Sequence, residues 1–360
     1  MILNWGELIT LEYGKPVKDK DSTDGKVPVY GTNGQIGTSH LPAQCKHPSF
    51  ILGRKGAYRG VHYSDCPFSV IDTAFYAEPL TDRIDLKWAY YKFLTYDING
   101  MDSGSAIPST DRYQIYSIEV EVPPLEKQRK IVAVLDCIDR KININQKVND
   151  NLEQQAAALF SGLYNRSNTE VGYTDLIQIL GGGTPKTGET AYWNGNIAFF
   201  TPKDVGTPYT FITEKTITEE GLSHCNSRLY PVNTVFVTAR GTVGKVGLSG
   251  VPMAMNQSCY ALVGKETHQL LVYFYTLKAV DRLKHKASGA VFDAITTRDF
   301  DSEQIMKLSD DDAKAFLCVA EPMFQEILNN SIENLQLSTL RDFLLPKLMS
   351  GEIDVSSVQL

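Results

Sequence analysis

Apolar positions recur in two long runs whose steps alternate between four and three. The first run is Ile131, Leu135, Ile138, Ile142, Asn145, Asn149, Leu152, Ala156, Leu159 and Leu163. A mean step of about 3.5 is the period of a helix seam that faces another helix. Adding 185 to each number gives Phe316, Ala320, Met323, Ile327, Asn330, Asn334, Leu337, Arg341, Leu344 and Leu348. The apolar stripe returns, and both asparagines return with it. If the two seams pack antiparallel, Asn145 faces Asn334 and Asn149 faces Asn330, so each amide finds a partner. Ile142 then meets Leu337, and Leu152 meets Ile327. Arg341 falls opposite Ile138, where its head has to snorkel to solvent. Pro322 suits a first helical turn. Each tail is therefore expected as a short helix (126–135 and 311–320) followed by a long one (138–164 and 322–350). Pro346 is expected to kink or end the second. A rod of roughly 26 residues is about 39 Å long.

The regions 1–122 and 166–308 carry shorter patterns rich in Gly, Pro, Asn and aromatics. Short β-branched and aromatic runs, Pro48–Leu52, Phe68–Ile71 and Thr234–Thr238, read as strands. Asn33-Gly34 and Tyr58-Arg59-Gly60 read as turns or hairpin loops. Stretches 85–97 and 268–284 read as one helix in each region. The same offset of 185 lays Phe50–Gly56 over Val235–Gly241, Pro67–Val70 over Pro252–Met255, Leu86 over Leu271, Tyr90 over Tyr275, and Ser103-Gly104 over Ser288-Gly289. The starts fit an offset of 168, Trp5–Ile9 over Tyr173–Ile177, so the second copy carries an insertion of 17 residues (185 − 168), expected within 184–215. Two copies of one unit account for nearly the whole chain. The fold class expected is α+β: two pseudo-symmetric globular domains joined by two long antiparallel helices in a coiled coil.

Composition sharpens this picture by exclusion. In 360 residues, 42% are hydrophobic and 21% charged, the balance of a soluble globular protein, and the net charge is −7. No run approaches the roughly 18 apolar residues of a membrane span, and no signal peptide is recognisable at Met1–Trp5, so a cytoplasmic protein is expected. The six cysteines (Cys45, Cys66, Cys137, Cys225, Cys259 and Cys318) include no closely spaced pair, so neither disulfides nor zinc are expected. A solitary DNA binder is usually basic, because phosphate contacts supply its affinity. The acidic total argues against strong binding alone and leaves room for local basic loops or a cationic partner.

No catalytic constellation stands out. Val122-Pro123-Pro124-Leu125 lacks the polar lead and the aromatic of an amino-methyltransferase loop. Gly241–Val246 lacks the spacing and hydroxyl of a phosphate-binding loop, and Gly181–Gly183 runs into Thr184-Pro185 rather than a helix. The six histidines show no metal-ligand spacing, and no cofactor is expected.

Several segments together carry a resemblance. Pro123–Ile131 (PPLEKQRKI) resembles the start of the conserved helical region of type I restriction–modification specificity subunits. Gly181–Lys186, Tyr192-Trp193 and Thr201–Asp204 resemble the opening of that family's target recognition domains, and Leu344–Ile353 its C-terminus. In the first copy Tyr13–Val17 stands where the Gly-Gly-Thr-Pro opening would be, and no Tyr-Trp or Thr-Pro-Lys-Asp follows. The resemblance implies target recognition domains at 1–124 and 166–309, conserved helical regions at 125–165 and 310–352, and a tail at 353–360. It implies a non-catalytic subunit whose domains each read one half of a split, asymmetric site in double-stranded DNA. The helices would set the spacing and dock two methyltransferase subunits, through which restriction subunits join. By the rod length above, the domain centres would lie about 11 base pairs apart.

Base reading calls for hydrogen-bonding side chains on loops beside cations. In the first copy the candidates are Asn33, Gln35, Arg54, Lys55, Tyr58, Arg59, Ser109 and Arg112. In the second they are Lys186, Lys203, Arg240, Lys245, Thr296, Thr297 and Arg298. Arg54-Lys55 and Arg240 precede the matched glycines, so both copies put a cation at one structural point. The rival readings are a scaffold that binds no DNA and a self-sufficient DNA methyltransferase.

Overall fold

The computed structural model describes residues 1–101, 108–206, 208–286 and 294–358. The matched pairs Ser103-Gly104 and Ser288-Gly289 lie outside the described residues. The chain divides into two compact units: Met1–Ile142 with Leu335–Leu360, and Asn143–Asn334.

The main sheet of the first unit has four antiparallel strands in the order Ile9–Tyr13, Ala74–Pro79, Ser49–Gly53, Val61–Ser64. A smaller sheet orders Gly34–Ser39, Val27–Gly31 and Ser69–Val70, with the last two parallel. Every residue of Ser49–Gly53 is buried, as a continuous Phe-Ile-Leu run predicts for a strand covered on both faces. Helix Leu86–Phe93 packs over it: the Phe93 ring lies 4.9 Å from Phe50 and 4.7 Å from Trp5. Asp85 caps that helix by accepting from the amides of Lys87 and Trp88, which fixes where it starts. The same core takes Ile131 and Leu135 from the first long helix and Leu345 and Leu348 from the second.

The second unit repeats this plan. Its main sheet runs Ile177–Gly181, Cys259–Gly264, Val235–Thr238, Val246–Ser249, then an added fifth strand, Tyr209–Thr210. The smaller sheet orders Lys215–Ile217, Trp193–Phe200 and Met253–Met255, again with one parallel pair. The first unit turns between its two paired strands over Thr32 and Asn33 alone. The second unit uses residues 201–214 for the same step, and the added strand lies within them. Helix Gln269–Lys286 fills the core beneath, together with Ala156, Phe160 and Leu163 from the first long helix and Phe316, Ala320 and Ile327 from the second.

The long helices differ from expectation in one respect. Each is a single unbroken element, Leu125–Tyr164 of 40 residues and Asp310–Ser350 of 41. The short-then-long division is corrected, and with it the rod of 39 Å; 40 helical residues span about 60 Å. Pro322 does not begin a helix and Pro346 does not end one. A proline inside a helix orphans the carbonyl four residues before it. Pro322 and Cys318 are both exposed, while Phe316, Ala320, Phe324 and Ile327 hold the opposite face in the core.

Within the second unit the helices run antiparallel, since Asn145 Nδ2 donates to Asn334 Oδ1 at 2.9 Å and Asn330 Nδ2 donates to Asn149 Oδ1 at 3.0 Å. Two partners join that the heptad reading did not name. Asn145 also donates to Glu333 Oε2 at 2.7 Å, and Asn149 to Ser331 Oγ at 3.3 Å. Leu152 packs against the cluster that contains Ile327. In the first unit Ile142 and Leu337 are both half-buried. Arg341 does not snorkel to solvent there. It donates to Asp139 Oδ1 at 3.1 Å, and Asp139 also accepts the Tyr91 hydroxyl at 2.7 Å. A carboxylate one residue from the seam thus takes the charge that an apolar partner could not.

Removing one amide of a buried pair strands the other. Asn330→Ala is expected to cost about 1–3 kcal/mol in urea unfolding, because the Asn149 carbonyl oxygen loses its donor. Replacing Asn149 and Asn330 together by leucine is expected to recover most of that loss. A double variant as unstable as the single one would contradict this account.

Candidate nucleic-acid interface

In the first unit, residues from three places converge on Tyr13, the last residue of strand Ile9–Tyr13. Arg54, just past strand Ser49–Gly53, lays its guanidinium over the Tyr13 ring at 4.8 Å and over Phe75 at 5.8 Å. Arg112, the first residue of helix Arg112–Tyr116, also lies 4.8 Å from the Tyr13 ring and 5.1 Å from that of Tyr113. Planar cations stacked on rings are held in place and lose less freedom on binding. The bond from Arg112 to the Tyr113 hydroxyl raises the arginine's pKa further. Asp72 moderates the charge here: its carboxylate is 3.5 Å from Lys55 Nζ, and its carbonyl accepts from Arg54.

The turn that carries these cations is built on the same pairing in both units. Lys55 pairs with Ser109 in an isolated bridge, and Arg240 pairs with Ala294 in another, each 185 residues on. The next residue is Gly56 at φ +121° in one unit and Gly241 at φ +80° in the other. A side chain there would be strained, so glycine is required where the chain reverses after presenting its cation. Thr32 braces the first turn by donating to the carbonyls of Lys55 and Thr73 at 2.9 and 2.7 Å. That ties the Asn33 hairpin tip to the cation loop.

Among the other candidates of the first unit, Asn33 and Tyr58 are exposed, and exposed Gln35 donates to the Gly37 carbonyl at 3.2 Å. Arg59 is a correction. It is 2% exposed, and its guanidinium donates to the Asn99 carbonyl at 2.6 Å while its amide donates to the Asn99 side chain. It ties two loops together and is not presented on the surface.

In the second unit Lys203 and Arg240 line one cleft of about 430 Å³, together with Lys215, Thr242, Asn256 and Glu214. Glu214 Oε2 lies 3.5 Å from Lys203 Nζ, an exposed ion pair. Lys186, Lys245, Thr297 and Arg298 are exposed but do not line this cleft. Thr296 caps helix Thr297–Asp301 and donates its hydroxyl to Asp299, so that group is already engaged. Thr297 stands at the position of Arg112 in the other unit, each being the first residue of its helix. Sequence reasoning missed Tyr13, Tyr113, Lys215 and Asn256. The pair Arg112-Tyr113 held a usable signal, since a cation beside an aromatic is a stacking pair, whereas Tyr13 and Lys215 become neighbours of the site only through sheet pairing.

Among the described residues no helix is long and apolar enough to cross a membrane. The profile of the type I restriction modification DNA specificity domain matches residues 4–154 and again 167–307. The chain is similar to the specificity subunit of the type I restriction enzyme MjaIX of Methanocaldococcus jannaschii, 32% identical over 124 residues, covering 33% of this chain and 29% of that one. It is also similar to the HindI specificity subunit of Haemophilus influenzae, 22% identical over 346 residues, covering 73% and 74%. Among solved structures, the S subunit of a type I restriction-modification system from M. genitalium shares the fold, with a TM-score of 0.61 at 16% identity over 97% of this chain and 95% of that one. With two profile matches that fall on the two repeated units, the chain belongs to the family of type I restriction modification DNA specificity domains.

Proposed function

We propose that this chain is the non-catalytic subunit that gives a type I restriction–modification complex its DNA sequence specificity, working in the cytoplasm. Residues 1–124 and 166–309 each read one half of a bipartite site in double-stranded DNA. Residues 125–165 and 310–352 set the spacing and dock two methyltransferase subunits, which in turn recruit restriction subunits. The observation that carries this reading is one scaffold built twice, with the same cation-bearing glycine turn in both units and different side chains around it. Shared scaffold and unlike loops suit two unlike half-sites. Apolar side chains left open on the long helices support docking: Ile144 and Val148 on the first are 57% and 40% exposed, and Leu340 and Phe343 on the second are 46% and 60% exposed. With a net charge of −7 the chain is expected to bind DNA weakly alone and more tightly with its methyltransferase partners.

The deciding experiment is methylome sequencing of a host with and without the gene. A bipartite adenine-methylation motif is expected to vanish with the gene. An unchanged methylome in a host that expresses the methyltransferase subunits would refute the proposal.

A further inference from the structure

Cys45, His47 and Glu78 bring a thiol, an imidazole and a carboxylate to within 4.8 Å of one another in the first unit. His47 Nε2 lies 2.6 Å from Glu78 Oε2 and 3.9 Å from Cys45 Sγ. The other ring nitrogen, Nδ1, is engaged with the Pro48 carbonyl at 2.9 Å. That outer bond fixes the ring and turns Nε2 toward the thiol and the carboxylate, as the partner of a metal-bound histidine does. Cys45 is fully buried, its backbone is bridged to that of Phe68, and its thiol donates to the His47 carbonyl at 3.3 Å, which sets where the sulfur lies. His47 and Glu78 are about a third exposed, which leaves one side of the cluster open to solvent.

The repeat supplies an internal comparison. The bridge Cys45–Phe68 recurs 185 residues on as Tyr230–Met253, and at the same offset Val232 and Val263 replace His47 and Glu78. The scaffold therefore closes at this point with a tyrosine and two valines. The fold itself does not call for a thiol, an imidazole and a carboxylate here, yet the first copy has all three converging.

We infer that Cys45, His47 and Glu78 form a zinc site, with solvent completing the tetrahedron. Thiolate, imidazole and carboxylate together match zinc in preference to harder cations. Around zinc, neighbouring ligand atoms sit about 3.3–3.6 Å apart, given bond lengths near 2.0–2.3 Å. Zinc entry needs the Glu78 oxygen to retreat from His47 by under about 1 Å, the thiol to approach the ring by a few tenths of an ångström, and the thiol and the Glu78 oxygen, which lie within 4.8 Å of each other, to settle about 3.5 Å apart. The metal would fasten the loop around Cys45 to strand Ala74–Pro79, and hence to the sheet that carries the Tyr13–Arg54 stack.

The test uses the full-length chain stripped of metal and titrated with Co²⁺, a coloured stand-in for zinc, followed by Zn²⁺. A sulfur-to-cobalt charge-transfer band is expected to saturate at a single equivalent and to disappear as Zn²⁺ displaces the cobalt. Cys45→Ser is expected to abolish the band, and Cys66→Ser, which alters an exposed thiol elsewhere, to leave it. Glu78→Gln retains the hydrogen-bonding shape and is expected to weaken Zn²⁺ binding at least about tenfold. It keeps the inference testable if the buried cysteine variant fails to fold. Absence of the band in the natural sequence, its persistence in Cys45→Ser, or unchanged affinity in Glu78→Gln would reduce the cluster to a histidine–carboxylate pair beside a thiol.

Discussion

Phe160→Ala is expected to destabilise the second unit by about 3–5 kcal/mol, the range for emptying a large buried aromatic site. Phe160 is 1% exposed and belongs to the first long helix, and all but one of its ring neighbours come from other elements. It stacks on Phe274 at 5.1 Å and meets Tyr275 and Phe316 edge-on at 5.4 Å each. Removing the ring leaves four rings, counting Tyr164 at 5.6 Å, without their common partner. They belong to three helices, so no small local movement can close the gap. The measurement is the urea midpoint of the full chain, with Phe343→Ala as control. Phe343 lies on the second long helix and is 60% exposed, so its loss is expected to stay within about 0.5 kcal/mol. If the two substitutions cost the same, Phe160 does not anchor this core.

The second large effect concerns recognition. Lys55→Ala and Arg240→Ala, tested in the assembled methyltransferase, are each expected to relax one half of the methylated motif and spare the other. Both residues precede a glycine of positive φ and pair in matching bridges, so they occupy one structural point on two copies. A side chain bonding a base edge discriminates by about 1–3 kcal/mol, or roughly five- to 150-fold. If instead they contact phosphate alone, binding falls evenly across sequences and the salt dependence becomes shallower. Methylome sequencing of each variant separates these results. Two variants that relax the same half of the motif would sink the assignment of one unit to each half-site.

What the sequence made legible was whatever depends on spacing. The asparagine pairs Asn145/Asn334 and Asn149/Asn330 follow from a heptad count, and the hydrogen bonds join those partners. The fully buried strand around Phe50–Leu52 follows from an unbroken apolar run. What stayed hidden depends on partners far along the chain. Tyr-Arg-Gly at 58–60 looks like an exposed turn, and nothing nearby indicates that Asn99 draws Arg59 inside. Arg341 looks misplaced until Asp139 appears beside it, 202 residues away in sequence. Pro322 looks like a helix start because its local cost is real; the core contacts of Phe316, Ala320, Phe324 and Ile327 override it. The Cys45–His47–Glu78 cluster leaves no signature of paired cysteines in the sequence, because Glu78 arrives through strand pairing.

The two units are also unlike in how their chain is drawn from the sequence. The second is one continuous stretch, Asn143–Asn334, while the first needs Leu345, Leu348 and Val355 to complete a core begun at Trp5. On the ribosome, the later unit has all of its parts first. The earlier one waits, with apolar surface around Ile131 and Leu135 uncovered, until the segment beyond Leu335 emerges. A frameshift after Asn334 would therefore damage the domain that was translated first, and spare the one translated just before the lesion.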